Sequence, residues 1–349
     1  MNETPGSIND DIKQIVLEFE DHPSSAWLAF SNLGSWEQRE KVVELFDLDS
    51  HGWVTYLRLY REKMEPYICE SFYCINAEEC REKYDMHGEI NIPFLKEECL
   101  SNLSEYATNI ESHGNHRYNS YRPTYPPGEV VNYNNSDQRK HFLTQVNMTA
   151  IACRHMHQND ALQWIYHSPH LRVFLASIMC CRKLYPYISD LGLAINIMRP
   201  RKNAQTALGF HFDSIDSSGP NGSTEQPKGA TGVIGIQDCM EGGERVVFPS
   251  INRCNVQSVS DVLLKYNPLR PSEAIGPSRP VVFYESIKGM LYLFNGGNVL
   301  HGVSSVRAGQ RIAAVFMFQE EPPKESSESS ISANFFYKST NLTPGRSKM

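Results

Sequence analysis

The chain has 349 residues, 40% hydrophobic and 21% charged, which is enough apolar material for a sizeable buried core. Its 40 acidic residues outnumber 33 lysines and arginines, and the formal net charge of −7 leaves no cation surplus for nucleic acid or an anionic membrane surface. No apolar run approaches the roughly 18 residues of a membrane span, and Met1 to Ile15 lack the basic-then-apolar pattern of a secretory leader, so a cytoplasmic protein is expected.

In chain order, residues 36–48 place Trp36, Val42, Val43, Leu45 and Phe46 on one apolar stripe, the mark of a helix. Residues 56–67 and 92–106 mix apolar and charged side chains at helical spacing, so 1–112 reads as a mainly helical region. Between 113 and 143 the composition turns to Asn, Tyr, Pro, Gly and Ser, which predicts an ordered loop or linker. Within it the run His116 to Arg122 mixes cations, aromatics and an amide, and Tyr118 and Arg122 are candidates for holding a polar substrate with a carboxylate.

Ser168-Pro169 reads as a helix start, with Leu171, Phe174, Leu175, Ile178 and Met179 on the buried face that follows. Beyond Pro186 come short apolar runs separated by Gly, Pro and Asn. Strands are predicted over 193–198, 209–214, 232–237, 244–248, 281–283, 290–294 and 311–318, a pattern that suggests an antiparallel sandwich or barrel. Residues 323–349 form a polar tail. Cys69, Cys74 and Cys80 are too widely spaced for a structural zinc site, and Cys180-Cys181 sit in an apolar helical run, so the nine cysteines read as reduced thiols.

The most informative run is His211-Phe212-Asp213. On a strand, residues two apart share a face, so one imidazole and one carboxylate project together. A second histidine would complete a two-histidine, one-carboxylate set with open positions, the arrangement that suits non-haem Fe(II) and O2. His301 supplies it, following the Gly296-Gly297 turn, and Arg311 opens the next strand ten residues later. The charges agree. Fe(II) and Asp213 sum to +1, a bound 2-oxo dicarboxylate brings −2, and the fork of Arg311 neutralises the remainder. Asn196 and Met198 alternate on the preceding strand and can both face the cavity; Asn196 is a candidate donor to the dicarboxylate. Arg307 rivals Arg311 for it, while Arg199 and Arg253 are candidates for a substrate carboxylate.

These residues, with the stretches LYPYISDLGLAINIMRP, GFHFDS, EGGERVVFPSINR and GMLYLFNGGNVLHGVSSVRAGQR, give residues 144–322 a resemblance to the Fe(II)/2-oxoglutarate-dependent oxygenase superfamily. Within that superfamily they are similar to the branch of free amino-acid halogenases and related hydroxylases. The resemblance implies an α+β fold with a double-stranded β-helix (jelly-roll) core behind an N-terminal helical region. It implies Fe(II), 2-oxoglutarate and O2 as cofactors, with His211, Asp213 and His301 as iron ligands and Arg311 on the distal carboxylate of 2-oxoglutarate. Halogenases of this kind carry Gly or Ala in place of the carboxylate ligand, so Asp213 favours hydroxylation.

The implied reaction attacks an unactivated C–H bond of a small amino acid or a metabolite derived from one, releasing succinate and CO2. Oxidative cyclisation or desaturation, as in a kainoid-type ring-forming synthase, needs the same cofactors. A jelly-roll binding module without catalysis is the alternative of another class. The polar stretch 217–229 reads either as a solvated loop or as a lid that closes over substrate.

Overall fold

The computed structural model describes residues 66–123, 143–156, 161–166, 169–179, 181, 184–187, 192–201, 206–211, 213, 229–252, 282–284, 287–297 and 299–320. The helices expected over 36–48 and most of 56–67, the loop over 217–228, Arg253 and the tail from 323 lie outside the described residues. The first described elements are helix α1 (Ala77–His87), strand β1 (Glu89–Pro93), helix α2 (Glu97–Asn109), strands β2 (Asn115–Pro123) and β3 (Leu143–Ala152), and helices α3 (Ala161–Tyr166) and α4 (Pro169–Met179). Strands β4 (Tyr185–Pro186), β5 (Leu193–Met198), β6 (Thr206–His211), β7 (Gly229–Gln237), β8 (Glu241–Gly242) and β9 (Arg245–Asn252) follow. Then come β10 (Val282–Tyr284), β11 (Met290–Phe294), β12 (Val299–Ser304), β13 (Val306–Ala308) and β14 (Arg311–Gln319).

Strands β5, β6, β7, β9, β10, β11, β12 and β14 are the first to eighth strands of the core. The first, eighth, third and sixth pair side by side, and so do the second, seventh, fourth and fifth, all antiparallel. That alternation between two facing sheets is the order of a jelly roll. The chain is therefore an α+β protein built on a jelly-roll core. Strand β3 joins the two sheets, pairing with β5 over Thr149 to Ala152 and with β6 at Val146 and Leu208.

The sequence of β14, RIAAVFMFQ, shows how the layers form. Flanked by β5 and β7, it is covered on both faces, which is why it is almost continuously apolar rather than alternating. Ile312, Ala314, Phe316 and Phe318 face outward into one cluster with Leu100 and Leu103 of α2 and Phe174 and Leu175 of α4. Arg311, Ala313, Val315 and Met317 face inward and line a cavity between the sheets. Helices thus cover one face of the larger sheet, and the other face is left for the site.

Three expectations change. Helical spacing was expected over 92–106, but Ile92 and Pro93 end strand β1, and α2 starts only at Glu97. Pro93 cannot donate a helical hydrogen bond and biases the residue before it toward extended backbone. The alternation of EINIP then fits an edge strand, and Asn91 pairs with Tyr292 of β11. The loop expected over 113–143 begins with a strand instead, because β2 lies along β3 and gains its backbone pairing despite a composition that lacks apolar alternation. Helix α4 matches its expected start and buried face, but it ends at Met179, so Cys181 is buried just beyond it rather than in it. Cys69, Cys74, Cys80, Cys99 and Cys239 are free thiols.

Phe72 ties the N-terminal part to this core. Its ring meets Phe94 and Phe174 edge-on, both at 5.0 Å between centroids, and the side chain is fully buried. Phe72→Ala is expected to lower unfolding free energy by about 3–5 kcal/mol in a denaturant titration, through lost burial plus the cavity left behind.

Candidate metal centre

Strands β6 and β12 are neighbours, and their pairing sets His301 directly opposite His211. The two imidazoles lie 4.4 Å apart between centroids. Strand β6 ends at His211, earlier than the expected 209–214, so strand pleating does not place Asp213. Its backbone N–H donates instead to the Gly296 carbonyl at 2.8 Å, which docks Asp213 onto the turn between β11 and β12. There its Oδ1 comes to 3.4 Å from Nε2 of His211 and 3.6 Å from Nε2 of His301. One donor atom from each residue lies within 4.8 Å of the others, and these three form the one such cluster found among the described residues.

Hydrogen bonds behind the three side chains orient them. Nδ1 of His211 lies 2.9 Å from the Gly209 carbonyl, and Nδ1 of His301 lies 2.9 Å from the Val299 carbonyl. A carbonyl only accepts, so each Nδ1 carries a hydrogen and each Nε2 faces the shared space, where it can donate to Asp213 when protonated or offer its lone pair to a metal when not. The Thr231 hydroxyl donates to Oδ2 of Asp213 at 2.6 Å and leaves Oδ1 turned toward the imidazoles. Gly296 completes the cradle by having no side chain. A Cβ there would lie 1.8 Å from Oδ2 of Asp213 and 2.6 Å from Oγ1 of Thr231.

Burial opposes charge on all three residues, with different results. Burial would raise the Asp213 pKa, but the charge of His301 and hydrogen bonds from His211 and His301 hold it well below the usual carboxylate range. Burial pulls His211 down, yet the hydrogen bond and charge of Asp213 outweigh it and its pKa ends raised. At His301 burial prevails and the pKa falls. The result is an ionised carboxylate between two imidazoles, a donor set of mixed N and O type that suits a divalent first-row metal and leaves positions open.

The cavity behind this cluster has a volume of about 130 Å³. Asn196 and Met198 of β5 both line it, at alternate positions as expected. So does Arg311, only 4% exposed. Its Nε has no hydrogen-bond partner, its Nη1 meets the Met198 sulfur at 3.4 Å, and among the described residues no carboxylate lies within ion-pair distance. Burial lowers its pKa from the ordinary value. A buried guanidinium in that position is costly unless an anion joins it, so the cavity fits a carboxylate-bearing ligand.

Other expected residues lie elsewhere. Arg307 is half exposed, donates from Nε to Glu241 at 2.7 Å and does not line the cavity. Its place on β13, which pairs with β8 outside the main sheets, turns it to the surface. Arg199 also lies outside the cavity lining, and its Nη2 donates to Glu111 at 2.7 Å beside a second contact of the same pair. The backbone of Tyr118 falls at a bulge in the pairing of β2 with β3, and that of Arg122 pairs with Thr144. Arg253 is outside the described residues.

Sequence reasoning missed Thr231, Arg245 and Glu89. Thr231 carries no signal, being one hydroxyl in an apolar strand. Arg245 has one, a cation opening an otherwise apolar run. The glycine pair at Gly296-Gly297 is legible as a turn, but the crowding of Gly296 by Asp213 is not.

No protein-family model matches the chain, and no curated protein does. Among solved structures the chain is similar to the non-haem alpha-ketoglutarate-dependent epimerase SnoN from nogalamycin biosynthesis, with 12% identity, 70% of this chain and 80% of that one covered, and a TM-score of 0.42. It is similar to a prolyl-4-hydroxylase from Pseudomonas putida at 12% identity, covering 70% and 100% of the two chains with a TM-score of 0.41. HygX from Streptomyces hygroscopicus, solved with nickel and 2-oxoglutarate bound, shows 10% identity over 72% and 88% of the chains and a TM-score of 0.42.

Gly296→Ala is expected to weaken binding of a divalent first-row metal about tenfold or more in a metal titration, with the fold retained by circular dichroism, because the new methyl displaces the Asp213 carboxylate.

Proposed function

We propose that the chain is an Fe(II)- and 2-oxoglutarate-dependent oxygenase that hydroxylates an unactivated C–H bond of a small amino acid or a metabolite derived from one. The observation that carries the reading is the cluster of Nε2 of His211, Nε2 of His301 and Oδ1 of Asp213, opening onto a cavity that also holds the buried guanidinium of Arg311. Those residues fit the two groups. The imidazoles and the carboxylate would hold Fe(II), and Arg311 would take the distal carboxylate of 2-oxoglutarate. When bound, the pair supplies oxidative decarboxylation coupled to O2, with succinate and CO2 released.

The protein's own work is positioning. Thr231 and Gly296 fix the Asp213 carboxylate, and the two backbone carbonyls fix the imidazole tautomers. The apolar lining, including Met148, Leu208, Val303 and Val315, keeps the interior poor in water and strengthens the hold of Arg311 on a carboxylate. Asp213 would supply the carboxylate ligand that halogenases of the resembled branch lack, which supports oxygen transfer over halogenation. The amino-acid substrate class is supported by the resemblance of the four sequence stretches, and Arg253 with Tyr118 and Arg122 remain its proposed contacts.

Anaerobic addition of Fe(II) and 2-oxoglutarate is expected to give a weak visible charge-transfer band that Asp213→Ala abolishes. No band in the wild-type chain would favour a binding module instead. Arg311→Met is expected to raise the 2-oxoglutarate concentration for half-saturation about 10- to 100-fold, while Arg307→Ala changes it less than about twofold. With a substrate found by stimulated succinate release, a product mass gain of one oxygen marks hydroxylation, and a loss of two hydrogens marks cyclisation or desaturation.

A further inference from the structure

Arg245, at the start of β9, lines the same cavity as Arg311. Its guanidinium lies over the rings of Tyr292 and Phe294 at 5.0 and 4.8 Å, and Phe294 in turn meets the His301 ring edge-on at 4.8 Å. Glu89, on the edge strand β1, accepts from Arg245 at 2.8 Å, and both side chains are 7% exposed. The cavity wall thus carries two buried guanidinia and, close to them, one buried carboxylate that pairs with Arg245. The charge of Arg245 is near enough to Arg311 to disfavour its protonated form. That repulsion is relieved if one carboxylate group lies between the two forks.

On the oxygenase reading above, we infer that Arg245 is a second anchor for the distal carboxylate of 2-oxoglutarate, held in place by Glu89 and shared with Arg311. Glu89 has a positioning role. It holds the Nη2 end of the Arg245 fork, whose planar group lies over the Tyr292 and Phe294 rings at the cavity wall. The ion pair adds no net charge, so the balance of Fe(II), Asp213, Arg311 and a dianionic ligand still sums to zero. What the pair adds is direction and a second set of donors, which a distal carboxylate uses and a 2-oxo acid lacking that group does not. The edge strand ahead of the jelly roll thereby becomes part of the cofactor site.

The test is a double substitution, Glu89→Gln with Arg245→Met, which removes the pair without changing net charge. In anaerobic Fe(II)-loaded protein the dissociation constant of 2-oxoglutarate should rise about tenfold or more. That of 2-oxopentanoate, which has the same chain and no distal carboxylate, should stay within about twofold, and Fe(II) affinity should not move. Equal weakening of both acids, or no change in either, overturns the inference. Should the double variant fail to fold, Arg245→Lys, which keeps the charge but loses the fork, should still weaken 2-oxoglutarate selectively. Unchanged selectivity there overturns it as well. Failure of the wild-type chain to bind 2-oxoglutarate at all would instead refute the oxygenase reading.

Discussion

The site depends on how one carboxylate is held. Asp213 lies past the end of its strand, where pleating no longer aims the side chain, and two contacts from other elements replace it. The Gly296 carbonyl takes its backbone N–H, and the Thr231 hydroxyl takes its Oδ2. The contact is tight enough that residue 296 can be nothing larger than hydrogen without moving the carboxylate. The metal-like character of the cluster follows from this fixed anion, because it adds a negative oxygen donor beside two imidazoles whose rings the Gly209 and Val299 carbonyls already orient.

The fold supplies that arrangement by bringing distant segments to one level of the barrel. β6 carries His211, β12 carries His301, β7 carries Thr231 and the turn after β11 carries Gly296. The larger sheet is buried on both faces, helices outside and cavity inside, so its strands cannot shift register without exposing an apolar face. Small residues facing inward, Ala194 and Ala313 among them, leave the cavity open where larger ones would fill it.

Much of this was legible in the sequence where local pattern and tertiary demand agree. β5, β11 and β14 fall where apolar runs bounded by glycine and proline place them. His211, His301 and Arg311, singled out along the chain, line one cavity, whereas Asp213 joins them through Gly296 rather than by strand alternation. Legibility fails where a neighbour decides. β2 has a loop-like composition and becomes a strand because β3 offers its edge, and β1 ends at Pro93 inside a run of helical spacing. Arg307 rivals Arg311 in the sequence but falls before the strand that Arg311 opens; the departure of β13 from the main sheets sends Arg307 to the surface, while β14 carries Arg311 into the cavity. Thr231, Gly296 and Glu89 act through contacts across sheets, and no spacing rule along the chain encodes those.

The most direct test of the central claim is the X-ray absorption spectrum of the anaerobic Fe(II)-loaded chain before and after 2-oxoglutarate. Two imidazole nitrogens with oxygen neighbours, unchanged in imidazole count while the oxygen shell rearranges on adding 2-oxoglutarate, is the predicted result. Sulfur scattering from the cysteines, or an iron environment without imidazoles, would contradict it.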